Sequence, residues 1–543
     1  MRSPGIWMLA LLAGFGVSPQ LSAQPAPGRV EQEIRPMPEP TRRDSVRIPQ
    51  PSFAEQVPQG ADTVRFTLGE VVLSGNRTLS REELQPIWAE MLGKPVTLKQ
   101  AFGIAAGITA RYRAAGYVLS QAIVPAQNIS TSGAVAFRID VLEGFVERVT
   151  FSGFTSPLLA EYLAPVTNER PLRLATLERA LLLVNELAGL RAQANLKAGA
   201  TPGSSELELV AQQAPRSLSL LAHNRTTPSQ GDVRVEAGAD VKGLLGDFDR
   251  HNLRLVTSGD KRLNLIAYSG EAPVGASGLK ALWSASTSRS EPDVDLPNVD
   301  TESTNASLGL AYPVYRSRES SLSVRTTFTG YNNSSGGGST SRDRIRAVRL
   351  GLTGDYADTV GGISLIDIEV SKGLSGLGAS SSDDPLLNGA QPDFTKATVY
   401  AARLQSLGGD WSVLLAATAQ SSGDKLPTAE QLGLGGEVFL RAFDPSEVIG
   451  ENGYAGKVEL RYNLALGSAA LTLYAYGDVG SVKRKQVGAS DLEESLAAYG
   501  LGLRFSGPAG VRGYLEVAKP AKKDVASQGD RDPRGFAGLG FEF

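Results

Sequence analysis

The sequence predicts two small α+β units followed by a long antiparallel β-barrel that crosses a membrane. Three observations carry this prediction. Between Val64 and Val210 one order of elements, β-α-α-β-β, occurs twice. From Arg216 to Phe543 helical periodicity gives way to segments of about ten residues that alternate apolar and polar, the pattern of strands with one dry and one wet face. The chain also opens with an apolar segment of the export type.

Residues 1–23 carry Arg2, an apolar run from Ile6 to Val17, and small and polar residues up to Ala23. The run is too short to span a membrane as a helix, and the order of regions is that of a secretory signal cleaved after Ala23. Residues 24–63 form a leader punctuated by prolines from Pro25 to Pro58. That is a linker composition, with room for a short helix around Arg29–Arg35 but not for one long enough to cross a pore.

The first unit covers 64–143. Phe66–Leu73 reads as a strand, and Ser80 with Glu83 forms a capping box. Leu84, Ile87, Trp88, Met91 and Leu92 then share one helical face up to Gly93. Thr97 and Gln100 form a second box before the stripe Leu98, Phe102, Ala105, Ile108 and Tyr112, which Gly116 ends. Tyr117–Val124 and Val135–Leu142 are strands. The second unit covers 144–213. Val146–Phe151 is its first strand, Ser156-Pro157 opens a short helix, Thr176–Ala188 is a longer one, and Ala192–Lys197 and Glu206–Val210 close the unit.

Residues 214–543 form the barrel. Leu322, Val324 and Phe328 alternate with Ser323, Arg325 and Thr327, and Val458, Leu460 and Tyr462 with Lys457, Glu459 and Arg461. Asn332–Asp343 and Gly378–Asp393 are long and hydrophilic while other connections are short, as outer loops are to inner turns. The last strand carries Leu539, Phe541 and Phe543. Closure is required, because an open edge in hydrocarbon leaves amides unpaired.

Composition removes several functions. Net charge is −3, so no basic excess points to nucleic acid. With no cysteine, disulfides, thiolate metal sites and cysteine nucleophiles are excluded. His223 and His251 are too few for an all-histidine zinc site and lack a Gly-x-Ser-x-Gly companion, so no catalytic residues, metal or cofactor are expected. The acidic stretches Glu291–Asp300 and Ser382–Asp393 fit no calcium-loop spacing and read as solvated loops.

Two segments are more specific. Ala429–Gly436 leads to Leu440-Arg441-Ala442-Phe443 and then Gly450–Tyr454, and further on comes Tyr476-Gly477-Asp478-Val479-Gly480. This resembles the Omp85 superfamily and, most closely, its two-partner secretion transporters, the TpsB (ShlB/FhaC-like) family. The resemblance implies two POTRA domains before a sixteen-stranded barrel, with the leader and the POTRA units in the periplasm of a Gram-negative bacterium. It also implies a long loop, here around 430–456, folded inward as a lid. That loop carries a Val-Arg-Gly-Tyr/Phe signature, for which this chain has Leu440, Arg441, Ala442 and Phe443. A Phe-x-Asp-x-Gly pattern facing it corresponds to Tyr476, Asp478 and Gly480. Asp478 shares parity with Thr472, Tyr474 and Tyr476, the wet face, and Arg441 can meet it with a bidentate fork.

The implied function is a translocation pore in the outer membrane. It receives an unfolded TpsA-like exoprotein, an adhesin or a haemolysin, through the POTRA units and releases it at the cell surface. Outer-membrane lipids are expected around the barrel. The barrel assembly machinery is expected to read Leu539, Phe541 and Phe543 during biogenesis. An Omp85-type insertase is the alternative.

Overall fold

A computed structural model describes residues 29, 37–40, 57–130, 133–213, 216–293, 300–336 and 341–543. The signal segment, the helix expected at Arg29–Arg35 beyond Arg29 itself, and positions 294–299 of the first acidic stretch lie outside the described residues.

The first unit contains β1 (Arg65–Ser74), α1 (Arg81–Leu84), β2 (Pro95–Thr97), α2 (Leu98–Ala114), β3 (Gln121–Ile123) and β4 (Ala134–Leu142), with sheet order β2-β1-β4-β3. Both capping boxes form, Ser80 with Glu83 and Thr97 with Gln100. Two expectations are corrected. The first helix stops at Leu84 and continues as 3-10 turns, because Pro86 lacks the amide a further α-turn needs and its ring crowds the preceding turn. The strand expected over Tyr117–Val124 shrinks to β3, because the amide of Ser120 closes a turn on the Tyr117 carbonyl and Leu119 is diverted into the core of the second unit.

The second unit contains β5 (Phe145–Gly153), α3 (Pro157–Asn168), α4 (Leu174–Asn185), β6 (Leu190–Ala198) and β7 (Ser204–Gln213), with order β5-β7-β6. α3 is as long as α4, not the short helix expected.

The barrel strands begin with β8 (Arg216–His223), β9 (Arg234–Lys242), β10 (Arg250–Ser258), β11 (Leu263–Pro273), β12 (Lys280–Ser290) and β13 (Thr301–Arg316). β14 (Ser320–Ser335), β15 (Ser341–Ala357), β16 (Gly362–Gly373), β17 (Thr395–Gly408) and β18 (Trp411–Ser422) follow. A long loop holds the small hairpin β19 (Leu432–Leu434) and β20 (Val448–Gly450). β21 (Asn452–Leu466), β22 (Ala469–Arg484), β23 (Leu492–Ser506), β24 (Arg512–Pro520) and β25 (Arg534–Glu542) complete the wall.

All barrel strands pair antiparallel with their neighbours, and β25 returns to β8, so sixteen strands close without an edge. The seam is short: β25 and β8 pair only from Gly538↔His223 to Glu542↔Ser219, whereas β13 and β14 pair from Thr301 to Arg316. Two backbone bonds between Phe543 and Leu218 lengthen the seam slightly. Within the loop expected at Asn332–Asp343, the described residues Asn332–Ser335 and Ser341–Asp343 are strand, with Ser335 pairing with Ser341. Gly378–Asp393 is a loop, as expected. Outward side chains such as Leu308, Leu350 and Leu501 are 67, 58 and 64 % exposed, which makes an apolar belt suited to lipid. The interior is charged: Arg325, for example, spans Asp367 and Glu369.

Side-chain contacts join the modules. Phe248, in the turn between β9 and β10, is 1 % exposed and packs edge-on against Phe154 in the core of the second unit, with ring centroids 5.6 Å apart. Its φ of 65° is left-handed. The amides of Leu244, Leu245 and Gly246 donate to the Asp249 carboxylate and fix this turn. Burial pushes that carboxyl up, but the three donors outweigh it and hold it below the usual carboxylate range. In the β13–β14 hairpin Arg316 pairs with Glu186, and Arg318 reaches Glu178 at 2.9 Å.

Candidate functional site

The loop between β18 and β21 runs from 423 to 451 and folds into the lumen. Its C-terminal limit is corrected from 456, because Asn452 already pairs with Lys483 in the wall. The hairpin β19–β20 gives the loop a two-legged stem. Gly435 and Gly436, with φ of 115° and 100°, turn the chain where a Cβ on Gly435 would lie 2.1 Å from the Asp444 carbonyl oxygen.

Leu440, Arg441, Ala442 and Phe443 form the buried tip, none more than 2 % exposed. The left-handed position is Leu440, at φ 61°, so Ala442 in place of glycine has no backbone penalty to meet. This turn aims both the amide and the side chain of Arg441 at one carboxylate. The Arg441 amide donates to Asp478 Oδ2 at 3.1 Å, Nε to the same oxygen at 3.0 Å, and Nη2 to Oδ1 at 3.0 Å. The guanidinium lies 3.4 Å above the Tyr476 ring centre. At Gly480 a Cβ would stand 2.8 Å from Leu434 Cδ1, so the absent side chain makes room for the loop stem. The sequence-identified residues of the loop and of β22 therefore meet, whereas Leu539, Phe541 and Phe543 lie apart from this site, on β25 and the chain end that follows it.

Several partners are not evident from sequence. Glu459, fully buried, accepts from Arg441 Nη1, from Arg461 Nε at 2.7 Å and from Arg504 Nη1 at 2.7 Å. Arg225 donates to the Arg441 carbonyl at 2.9 Å and to Glu516 at 2.7 Å, while Tyr474 and Tyr476 also donate to Glu516. Arg534 holds the Ala442 carbonyl at 3.0 Å and Asp444 at 2.7 Å. The carboxylates of Asp478, Glu459 and Glu516 thus each take several donors, as low-dielectric surroundings demand, whereas Asp444 takes Arg534.

The leader expected in the periplasm is corrected at Arg29 and Glu39, while Ala61 and Asp62 at its far end stay against Lys99 of the first unit. Arg29, 3 % exposed, sits between the legs of the loop and donates to Ser446 Oγ at 3.0 Å, the Thr428 carbonyl at 3.2 Å and the Gln431 carbonyl at 2.7 Å. Arg461 donates to both oxygens of Glu39 at 3.2 Å. Carbonyls left open by the loop, and a wall arginine facing the lumen, supply partners that a solvated linker would lack.

Comparisons with known proteins agree with this geometry. The family model described as haemolysin secretion/activation protein ShlB/FhaC/HecB matches residues 203–505, and that of the ShlB-type POTRA domain matches 66–144. The heme/hemopexin transporter protein HuxB of Haemophilus influenzae (strain 86-028NP) is 23 % identical over 545 residues, covering 95 % of both chains. The outer membrane transporter CdiB of Dickeya dadantii is 24 % identical over 482 residues, covering 85 % of each. The solved structure of CdiB from Escherichia coli shares the fold, with a TM-score of 0.74 at 20 % identity, covering 91 % of this chain and 94 % of that one.

Proposed function

The chain belongs to the ShlB/FhaC/HecB family of haemolysin secretion/activation proteins, and from that premise we propose how its arm, its lid and its client cooperate. The protein is a two-partner secretion pore of the outer membrane, not an enzyme, with its POTRA units in the periplasm. Family membership favours export over the insertase alternative.

The client is an unfolded TpsA-like exoprotein, an adhesin or a haemolysin, and the POTRA units receive it. In the first unit β2 covers the outer edge of β1, while in the second no strand lies on the outer edge of β5 among the described residues. An extended client can add to such an edge as a further strand, which reads backbone rather than sequence. The client then crosses the lumen once the 423–451 loop moves aside, and its folding outside prevents return. Lipids cover the apolar belt. Leu539, Phe541 and Phe543 are the face that the barrel assembly machinery reads during insertion.

One observation carries the lid reading: the wholly buried Arg441–Asp478 pair, which ties a loop to the wall across the path a client would take. Breaking a buried pair from one side costs about 3–5 kcal/mol. Arg441→Ala is therefore expected to insert as a folded barrel yet secrete poorly, because the lid no longer holds its resting position. Inserted variant protein that secretes a co-encoded partner at the normal rate would remove the lid from this account.

A further inference from the structure

The loop has another charged anchor, set apart from the tip. Glu430, on the leg that leads from β18 to the tip, is 4 % exposed. Arg349 on β15 grips it with a fork, Nη2 to Oε1 at 2.6 Å and Nη1 to Oε2 at 3.2 Å. Lys396 on β17 meets Oε2 at 2.7 Å and donates to the Glu430 carbonyl at 2.9 Å. Gln420 on β18 donates to that same carbonyl at 3.0 Å. A surface ion pair contributes little, but a buried carboxylate held by two cations, with its own residue's carbonyl held by Lys396 and Gln420, is fixed in position.

The two anchors grip different parts of the wall. Arg441 is tied to β21 and β22, Glu430 to β15 and β17, and five strand-to-strand steps separate β15 from β22 in the sixteen-stranded ring. Freed at the tip alone, where Arg534 on β25 also holds Asp444, the loop stays fastened by its other leg and still crosses the lumen.

We propose that Glu430, with Arg349 and Lys396, is a second latch that must break for the pore to open. This rests on the lid reading above. It makes opening a two-point release. A client that displaces the tip gains no clear passage until the Glu430 leg also leaves the wall, which would keep the resting pore shut against small solutes during chance excursions of the tip.

The test is single-channel conductance of the full-length protein in planar bilayers, with barrel folding checked by the mobility shift between unheated and heated samples. Glu430→Gln keeps the shape but removes a charge-assisted bond, so its open fraction is expected to rise about tenfold over the parent. Arg441→Ala is expected to rise as well, and the double variant to show the product of the two effects, since opening breaks both contacts. If Glu430→Gln fails to insert, Lys396→Gln, which leaves the Arg349 fork in place, supplies the same readout. A rise for Arg441→Ala with no change for the folded Glu430 or Lys396 variant overturns the second latch and leaves the lid standing. No change in any of them overturns the lid, and the latch with it.

Discussion

Replacing Phe248 by alanine should loosen the POTRA arm from the barrel while leaving both folded. Phe248 belongs to the barrel by sequence and to the core of the second unit by packing. Truncating a buried phenylalanine costs about 3–5 kcal/mol, equivalent to roughly a hundredfold to several thousandfold in the docked-to-undocked ratio. The left-handed backbone adds a control. Alanine at φ 65° keeps the strain, whereas glycine relieves about 1 kcal/mol of it, so Phe248→Gly is expected to undock less than Phe248→Ala. The chain has no cysteine, so spin labels can be placed uniquely at cysteines replacing exposed Ala160 on α3 and Ser468 in the β21–β22 turn. Pulsed electron resonance should give one narrow distance for the parent, a broad distribution for Phe248→Ala, and an intermediate one for Phe248→Gly. An unchanged distance and an unchanged urea midpoint for undocking in Phe248→Ala would refute the claim that this ring holds the joint.

Two further predictions follow from geometry. Gly480→Val would drive a side chain into Leu434 and the Tyr454 carbonyl, overpacking worth about 1–3 kcal/mol, so the variant should insert normally but show a protease-sensitive lid loop; full protection would count against the fit. Asp249 has a carboxyl held below its usual value, so its contribution is complete above the ordinary range near 3.8 and is lost only as pH falls through the depressed value. The arm-to-barrel distance should accordingly hold from pH 7 to pH 5 and broaden only in stronger acid, while Asp249→Asn should broaden it at pH 7; broadening of the parent at pH 5 would contradict this.

Much of the architecture is legible in local pattern. Capping boxes at Ser80 and Thr97 act within one turn, and two-residue alternation directly encodes which side chains face lipid, so both survive into the structure. Even Asp478 declares its side of the wall by parity. What sequence pattern does not encode is distance across the lumen. Glu459 stands on the same wet face as Lys457 and Arg461, yet that Arg504 reaches it from β23, beyond the intervening β22, depends on register and on which side chains lean along the wall. Arg225 and Arg534 lie hundreds and tens of residues from the loop they hold, and only closure of the ring brings them near. Phe248 carries no local mark, since a left-handed phenylalanine in a turn is persuasive only once its pocket is seen.

The short seam has a mechanical consequence. β8 follows directly from β7, so any pull on the periplasmic arm would be expected to arrive first at the most weakly zipped joint of the ring. The Phe248 knob and the pairs Arg316–Glu186 and Arg318–Glu178 divert that force into the hairpins β9–β10 and β13–β14 instead. A cargo tugging on the arm thus strains well-knit staves of the cask, and the loosest stave is spared.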